Sequence, residues 1–418
     1  MKRMDPNPTR ARPDWPPVVV AGAYQTGIVL MRNLARRGVP VSCIDNNAAM
    51  PGFKTVYGKA YRCPNPDDDP AGWVRFMQQL AAKLGGRPVL IPSSDRFITV
   101  VGDHAAELER CFVFPRASIA VQALLATKQR QYDMAESHGL PVPRTRFVRS
   151  LDELNDFAAD ARFPCLLKPV HFREWQRFPA GHPLAYRKVT VAASAEELEA
   201  RYRMAAAVTP EVVVQEVIEG PDTAKLVYLS CYGREGKRLG ACVLRQLRTD
   251  PIYFGSASVV EPVLDPETDA RCDAFLRSLG YVGLCEIELK RDSRDNSLKM
   301  IEANPRYSVT ADAAPYLGLD LGWLHYLDLI GETVVPVEPQ LRDFRHIVLR
   351  RDFATFRSYL RAGLATWPSL LHSYCQPVYF FDLDFHDWRV TAGTVWALAK
   401  LLAEPWLRHV RRKPAPTG

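Results

Sequence analysis

The segment from Gly280 to Arg306, GYVGLCEIELKRDSRDNSLKMIEANPR, is the feature that most constrains how this chain folds. Residues 283–290 and 298–303 each have the composition of a short strand, and the polar stretch between them is typical of a hairpin turn. Side chains alternate along a strand, so Glu286 and Glu288 share one face while Cys285 and Ile287 take the other. The segment therefore predicts a β-hairpin with an acidic face.

Three oxygen-bearing side chains of this hairpin are predicted to lie together: Glu288 on the first strand, and Glu302 and Asn304 at the end of the second. Two carboxylates and an amide oxygen form a hard ligand set, which suits Mg²⁺ that already carries phosphate oxygens. Arg306 follows at once, and its planar cation is suited to hold an anion beside the metal. Each acid taken singly is better explained as a solvent-facing charge. The group as a whole favours a metal site.

Composition and charge bound the class of protein. The chain has 418 residues, of which 47% are hydrophobic and 24% charged, as expected for two or three globular domains. Of the net charge of +7, residues 1–14 carry +2 and residues 400–418 carry +4, which leaves +1 for the body between them. A broad nucleic-acid footprint needs a basic face on the folded body, so we expect no nucleic-acid partner.

Nine cysteines are scattered without a C-x-x-C pair. This usage argues against a disulfide framework or a zinc site and predicts a reducing, cytoplasmic setting. The first residues lack an apolar signal core, and no run of about 18 apolar residues occurs. We therefore expect a cytoplasmic protein without a membrane-spanning segment.

The folded part of the chain begins with a βαβ pattern, in which residues 17–22 form an apolar strand and a second strand ends at Asp45. The turn after the first strand contains Gly22 and Gly27 but no G-x-G-x-x-G, so a nicotinamide site is not favoured. Further alternation of helices and strands predicts a small parallel-sheet domain that ends near residue 115.

Ser93, Ser94 and Asp95 follow the predicted strand at 88–92. Open α/β sheets bind ligands at such strand ends, so the three residues are candidates for a substrate pocket. Helix capping by Ser94 or Asp95 is the better-supported interpretation.

Two lysines are candidates for phosphate binding. Lys128 lies on a predicted helix at 122–138, where a lone lysine is usually a solvated surface group. Lys168 closes the apolar strand CLLKP, and a compact ammonium at a rigid strand end is a good point charge for a phosphate oxygen.

The strand EVVVQEVIEGPD carries four apolar positions before Gln215 and Glu216 and ends at a turn with Asp222. A polar pair at a strand end offers hydrogen bonds to a flat adenine edge, and a carboxylate just beyond can take both ribose hydroxyls. A strand and turn with a purely structural role is the alternative. Farther along, Arg245 is a candidate for a substrate carboxylate or an acylphosphate, and a salt bridge to a neighbouring acid explains it equally well.

The hairpin resembles the metal-binding hairpin of the ATP-grasp superfamily, whose second strand ends in Glu-x-Asn-Pro-Arg, here residues 302–306. The resemblance extends from about residue 17 to 335. It implies that Lys128 and Lys168 contact the phosphates of ATP and that Glu288, Glu302 and Asn304 hold Mg²⁺ or Mn²⁺. The remaining implied nucleotide contacts are adenine at Gln215 and Glu216, the hinge backbone at Val217 and Ile218, and ribose at Asp222.

The subgroup that the chain resembles most is the carboxylate–amine ligases related to D-aspartate ligase and carbamoyl-phosphate synthetase. This resemblance implies an ADP-forming ligase that joins a small-molecule carboxylate to an amine, with Arg306 and Arg245 at the reacting groups. Family members usually have a glycine-rich lid loop. In this chain the corresponding residues, 171–187, contain one glycine, Gly181. An ATP-binding protein without turnover and a carboxylase are the alternatives left open.

The expected fold class is α/β and α+β, with a parallel-sheet domain followed by a two-lobed ATP-grasp domain. The expected ranges are a disordered basic tail at 1–16, the parallel-sheet domain at 17–115, the ATP-grasp domain at 116–335 with its lid at about 143–215, and a helical extension at 336–418. Apolar residues beside a basic tail in the extension leave peripheral contact with an anionic membrane open, although a helix packed on the domain is favoured. A homodimer is also left open.

Overall fold

We describe the fold from a computed structural model, which describes residues 14–170, 172–179 and 181–410. Most of the predicted N-terminal tail, the basic residues after position 410, and His171 in the lid segment lie outside the described residues. None of the helices in the described ranges combines the length and the apolar character that crossing a bilayer requires.

The first sheet is parallel and has the strand order β3-β2-β1-β4. Its strands are β1 (Val18–Ala21), β2 (Val41–Asp45), β3 (Lys59–Arg62) and β4 (Val89–Pro92). Its helices are α1 (Gln25–Ala35), α2 (Pro70–Leu84), α3 (Asp95–Asp103) and α4 (Ala105–Leu108). Helix α1 packs on one face of β1, and α2 and α3 pack on the other. Both faces of β1 are thus covered, which explains why it is apolar at every position.

Two helices follow where the sequence predicts one: α5 (Ile119–Leu125) and α6 (Lys128–Ser137). Thr127 between them has an extended backbone, with φ −96° and ψ 116°, so a new helix begins after it. Lys128 is therefore the first residue of α6.

A four-stranded antiparallel sheet, the lid sheet, comes next with the order β5-β8-β6-β7. Its elements are β5 (Thr145–Val148), α7 (Leu151–Asp160), β6 (Cys165–Pro169), β7 (Thr190–Ala192), α8 (Ala195–Ala206) and β8 (Val212–Glu216). The Ser194 side chain caps α8 by accepting a hydrogen bond from the N–H of Glu197. After β6, residues 172–177 form a 3₁₀ helix that buries Trp175 in the lid core.

The large sheet has seven strands in the order β13-β12-β9-β10-β11-β14-β15. They are β9 (Lys225–Tyr232), β10 (Arg238–Asp250), β11 (Ser256–Val263), β12 (Gly283–Arg291), β13 (Leu298–Asn304), β14 (Arg345–Ile347) and β15 (Val378–Phe380). Helix α9 (Pro266–Ser278) packs on one face, and α10 (Leu321–Leu329) packs on the other together with α1. This arrangement of a parallel-sheet domain followed by two lobes built on mainly antiparallel sheets confirms the predicted fold class.

Two segments differ from their sequence interpretation. Residues 247–258, with Pro251 and Gly255, have the composition of a loop, yet all but 251–255 belong to the end of β10 and the start of β11, because both strands gain backbone partners in the large sheet. The segment after residue 335, expected to be helical, contains α11 (Leu349–Arg361), α12 (Trp367–His372) and α13 (Trp388–Val410), and it also adds β14 and β15 to the large sheet. These three-residue strands carry little signal of their own and depend on the edge of β11.

Candidate active site

A cavity of about 760 Å³ is lined by α6, the lid strands β6 and β8, the segment after β8, the β10–β11 turn and the β12–β13 hairpin. We call it the nucleotide cavity, after the prediction that its residues bind ATP. The predicted site residues that line it are Lys128, Lys168, Gln215, Glu216, Val217, Ile218, Glu288 and Glu302. Two lysines and two acids from distant parts of the sequence therefore open onto one space.

The acidic face of the hairpin is formed by direct cross-strand pairing. Glu288 of β12 lies opposite Glu302 of β13, and Glu286 lies opposite Asn304. Directly opposed residues project from the same side of a sheet, so all four side chains share one face. The Asn304 amide donates to Glu286 Oε1 over 3.2 Å, and the Thr310 hydroxyl donates to Glu286 Oε2.

The acidic face brings the carboxylates of Glu286, Glu288 and Glu302 close enough to repel one another. Within the described residues, none of Glu286, Glu288 and Glu302 forms an ion pair. Glu288 accepts a hydrogen bond of 3.3 Å from the Gln246 amide. Its partial burial, together with the charges of Glu286 and Glu302, raises its pKa to about 8. A cation placed against this face would relieve the repulsion.

The predicted metal ligands fit a divalent cation that is shared with phosphate. In the described part of the chain, no group of three or more His, Cys, Asp or Glu side chains is arranged to bind a metal ion without other ligands. Mg²⁺ is usually held by one or two carboxylates with substrate phosphates, and Glu288 and Glu302 supply that number. The Asn304 amide oxygen accepts a hydrogen bond of 2.9 Å from Arg306, so its share in a metal site stays a prediction.

Lys168 and Lys128 face the acidic hairpin across the nucleotide cavity. Lys168 of β6 donates to Oε1 of Gln215 on β8 over 3.3 Å, and the Gln215 amide donates to Oγ1 of Thr145 on β5 over 2.6 Å, so side chains of three neighbouring lid strands hold the lysine. Burial lowers the pKa of Lys168 to about 8, while Glu302 acts in the opposite direction. Burial and the charge of Lys168 also lower the pKa of Lys128. Both cations would gain from an anion such as a phosphate.

Several polar groups of the segment after β8 are already paired inside the protein. The N–H of Val217 donates to Pro164 O over 3.0 Å, and its carbonyl accepts from Arg294. The carbonyl of Ile218 accepts from Lys290 over 2.8 Å. The Glu216 carboxylate accepts from the N–H of Arg162. The segment is thus held rigidly at the cavity wall, and its adenine contacts stay predictions.

The structure places Asp222 beside the cavity wall but does not include it in the lining. Its carboxylate lies 3.0 Å from Lys225 Nζ and accepts hydrogen bonds from the Tyr359 hydroxyl and, at 3.1 Å, from the N–H of Tyr253. Burial opposes the charged form, but Lys225 and Tyr359 outweigh it and lower the pKa of Asp222. With these partners in place, Asp222 holds Lys225 and Tyr253, both of which line the cavity. Ribose binding by Asp222 stays a prediction.

Arg245 also lies outside the nucleotide cavity lining. It is partly exposed on β10, with Nη1 3.6 Å from Glu261 Oε1 on the neighbouring strand. This is the salt bridge that the sequence left open as an alternative to substrate binding.

Arg306 connects the hairpin to the first domain. Its Nε donates to Asp95 Oδ1 over 2.8 Å, at the start of α3 and just beyond β4. Burial opposes its charge, but Asp95 dominates and raises the pKa of Arg306. Ser94 is the N-cap of α3 without a side-chain capping bond. Of the three strand-end residues proposed for a substrate pocket, Asp95 thus contacts the residue proposed to hold an anion, whereas the Ser93 hydroxyl donates to the carbonyls of Ala21 and Gly22.

Sequence reasoning missed other lining residues. Lys225 and Lys290 line the nucleotide cavity beside the segment after β8, and burial with the nearby charge of Lys225 lowers the pKa of Lys290 to about 8. Both lie in strands with mixed sequence, KLVYLSCY and GLCEIELKR. The one signal that they share with Lys168 is a lysine close to one end of a strand: Lys225 is the first residue of β9, and Lys290 is the last but one of β12.

No protein-family model matches the chain. The chain is 26% identical over 276 residues to a D-aspartate ligase from Enterococcus faecium, and the aligned region covers 62% of this chain and 63% of that protein. It is 21% identical over 240 residues to the C-terminal section of the carbamoyl phosphate synthase large chain from Methanopyrus kandleri, which covers 56% of this chain and 39% of that protein. The chain thus spans less than two thirds of the length of either curated relative.

The chain also resembles solved structures. The crystal structure of an N5-carboxyaminoimidazole ribonucleotide synthetase in complex with ADP superposes with a TM-score of 0.62 at 15% identity, over 85% of this chain and 86% of that one. At this identity the similarity shows a shared fold. The similarities in sequence and fold together confirm the predicted resemblance: the chain has an ATP-grasp fold and resembles the carboxylate–amine ligases of that superfamily.

Proposed function

We propose that this chain is an ATP- and Mg²⁺-dependent ligase that activates a carboxylate as an acylphosphate and joins it to an amine. One observation carries the proposal: Lys128 and Lys168 line the same cavity as Glu288 and Glu302. A triphosphate there would lie between two cations and an acidic face suited to its metal ion. The similarity to a D-aspartate ligase supports the choice of reaction.

In the proposed reaction, a carboxylate oxygen of the substrate attacks the γ-phosphorus of ATP, and the bond from that phosphorus to ADP breaks. The amine nitrogen then attacks the acyl carbon, phosphate leaves, and the nitrogen loses a proton as the amide forms. No nucleophilic side chain is needed, because the protein positions the reactants and stabilises charge.

Several of the predicted residues have a role in this scheme. The ammonium groups of Lys128 and Lys168 would neutralise phosphate oxygens, and Gln215 keeps Lys168 in place. Glu288 and Glu302 would hold Mg²⁺, with Asn304 as the third predicted ligand; the bound metal supplies charge neutralisation at the β- and γ-phosphates. Arg306, held by Asp95, would orient the anionic substrate group beside the metal.

ADP release tests the proposal directly. The purified chain would be incubated with ATP and Mg²⁺ and with pairs of carboxylates and amines, including amino acids, while ADP and phosphate are measured. We expect ADP and phosphate in equal amounts, formed only with one carboxylate and one amine together, and an amide product detected by mass spectrometry. AMP as the product would contradict the proposal.

The two alternatives predict different results in the same experiment. A protein without turnover would bind ATP but release no ADP with any pair of substrates. A carboxylase would release ADP with bicarbonate and one acceptor, without requiring a second carboxylate. Bicarbonate-free buffer and a parallel bicarbonate series therefore separate the three functions.

A further inference from the structure

A second cavity, of about 450 Å³, lies where the first domain, the large sheet and the C-terminal segment meet. Its wall includes the start of α1, the end of β10, and parts of α11 and α13. The β10–β11 turn connects this second cavity to the nucleotide cavity. Asp250 lines the second cavity, and residues 253–256 line the nucleotide cavity.

The charges on this second cavity are predominantly positive. Arg350, Arg351 and Lys400 line it, against the single acid Asp250. Arg350 and Lys400 lie at its exposed rim, and Arg351 is partly buried. None of the three cations forms an ion pair with a described residue.

Arg351 is held in place by neutral acceptors. Its Nη1 donates to the carbonyl of Ala257 over 2.5 Å, and its Nη2 donates to Gln25 Oε1 over 3.5 Å. Burial lowers the pKa of Arg351, whereas the negative charges of Asp382 and Asp250 act to raise it. Its guanidinium is thus held between two domains, and no carboxylate of the described residues lies within 4 Å of it.

The opposite wall adds favourable backbone dipoles. Gln25 is the first residue of α1, an 11-residue helix whose N-cap, Tyr24, makes no side-chain capping bond. The N–H groups of such a helix start carry partial positive charge. The start of α1 is also the carboxyl end of β1, where parallel sheets place ligands.

We propose that this second cavity binds a small anionic ligand through a carboxylate or phosphate group, which pairs with Arg351 and lies against the start of α1. The site requires no catalysis and stands whether or not the chain is a ligase. A cationic surface kept only for solubility would leave these groups fully exposed, with no need for Gln25 and Ala257 to hold the guanidinium.

Calorimetric titration at low ionic strength tests this site, with succinate and inorganic phosphate as probes. We expect saturable binding of at least one probe to the full chain, at one site per chain. Arg351→Gln and Arg350→Gln should each weaken it at least tenfold. The tighter of the two probes assigns the ligand group as carboxylate or phosphate.

Two controls make the result specific. Arg361→Gln removes an exposed charge from the last residue of the same helix, α11, and should change the affinity less than twofold. Lys168→Gln alters the nucleotide cavity and should leave the binding intact. An equal loss in Arg361→Gln would mean general charge attraction, and loss in Lys168→Gln would place the anion in the nucleotide cavity; either result, or no saturable binding, overturns the proposal. Unfolding midpoints show whether each variant is folded, and Arg350→Gln keeps the test valid should Arg351→Gln unfold.

Discussion

Acidic side chains at two places on the large sheet differ in how the protein balances their charge. Asp352 of α11 is fully buried and receives two hydrogen bonds from Arg248, at 2.9 and 2.8 Å, with further bonds from Ser258 and Tyr374. The acidic face of β12 and β13 places Glu286, Glu288 and Glu302 together, with neutral donors on two of them and no ion pair to a described residue.

This difference separates structural from functional charge. A carboxylate with all its partners supplied by the chain holds elements together, as Asp352 holds α11 to β10 and β11. A carboxylate whose neighbours are like charges is destabilised until a cation arrives. The acidic face of β12 and β13, whose carboxylates form no ion pair with a described residue, is therefore the better candidate for ligand binding, and the substitutions below test that distinction.

Asp352→Ala should have the largest effect, on stability. It leaves Arg248 buried without its partner, which typically costs about 3 to 5 kcal/mol. Urea unfolding measures the loss. The matched control is the double variant Arg248→Met with Asp352→Leu, which removes both charges and should recover most of the stability. If the single and double variants are equally unstable, the pair is not held as a balanced unit.

Glu302→Gln should lower kcat about 10²- to 10³-fold, equivalent to about 3 to 4 kcal/mol, because a ligand charge that supports phosphate neutralisation is lost. The fold should stay intact, since Glu302 has no ion pair with a described residue to lose. ADP release measures the effect, and Glu235→Gln, an exposed change in the β9–β10 turn, is the control. Wild-type turnover in Glu302→Gln would place the metal elsewhere.

Glu288→Gln should change how stability depends on pH. The pKa of Glu288 is raised from 4.5 to about 8 in the folded chain, so between these values the folded state binds more protons than the unfolded state. Its contribution to the free energy of unfolding therefore falls as pH rises, by at most about 1.4 kcal/mol per pH unit. Without Mg²⁺, the wild type should lose about 1 to 2 kcal/mol more than Glu288→Gln between pH 6.5 and 8.

This pH window avoids the opposite contribution of His325, whose burial lowers its pKa from 6.5 to about 4. Urea unfolding at each pH gives the comparison. Addition of Mg²⁺ should remove the fall in the wild type and leave Glu288→Gln unchanged. Parallel pH profiles of the two proteins would show that Glu288 is ionised without cost.

Tyr359→Phe should have the smallest effect, a rise of about 3- to 10-fold in the KM for ATP with kcat nearly unchanged. The Tyr359 hydroxyl bonds to Asp222, which in turn holds Lys225 and Tyr253 at the nucleotide cavity. Loss of one hydrogen bond to a charged group loosens these residues without removing them. Tyr326→Phe is the control, because it loses a bond to Pro16 away from the cavity. A similar rise in both variants would assign the effect to general destabilisation.

The hairpin and its acidic face could be predicted from the sequence because all the residues that form them are close together in the chain. Residues 280–306 contain both strands, the turn and the acids, and one register decides which side chains meet. Lys168 was accessible for the same reason, since it closes an apolar strand. The fold followed from the alternation of helices and strands and from the family resemblance.

The partners of Asp222 and Arg245 were not accessible in the same way. Tyr359 reaches Asp222 from 137 positions away, through a helix whose place in the fold depends on tertiary packing. Arg245 pairs across β10 and β11, and the sequence interpretation treated the start of β11 as a loop. Contacts between distant segments carry no periodicity or motif, so they required the structure.

The addition of β14 and β15 to the large sheet determines where the chain can be truncated without damage to that sheet. A recombinant fragment ending near residue 335 would leave β11 as an open edge, with unpaired backbone groups that invite aggregation. The same fragment would lack Tyr359 and Asp352, and with them the anchors of the β10–β11 turn. An inactive, insoluble truncation would therefore reveal a damaged sheet and give no information on the chemistry of the intact chain.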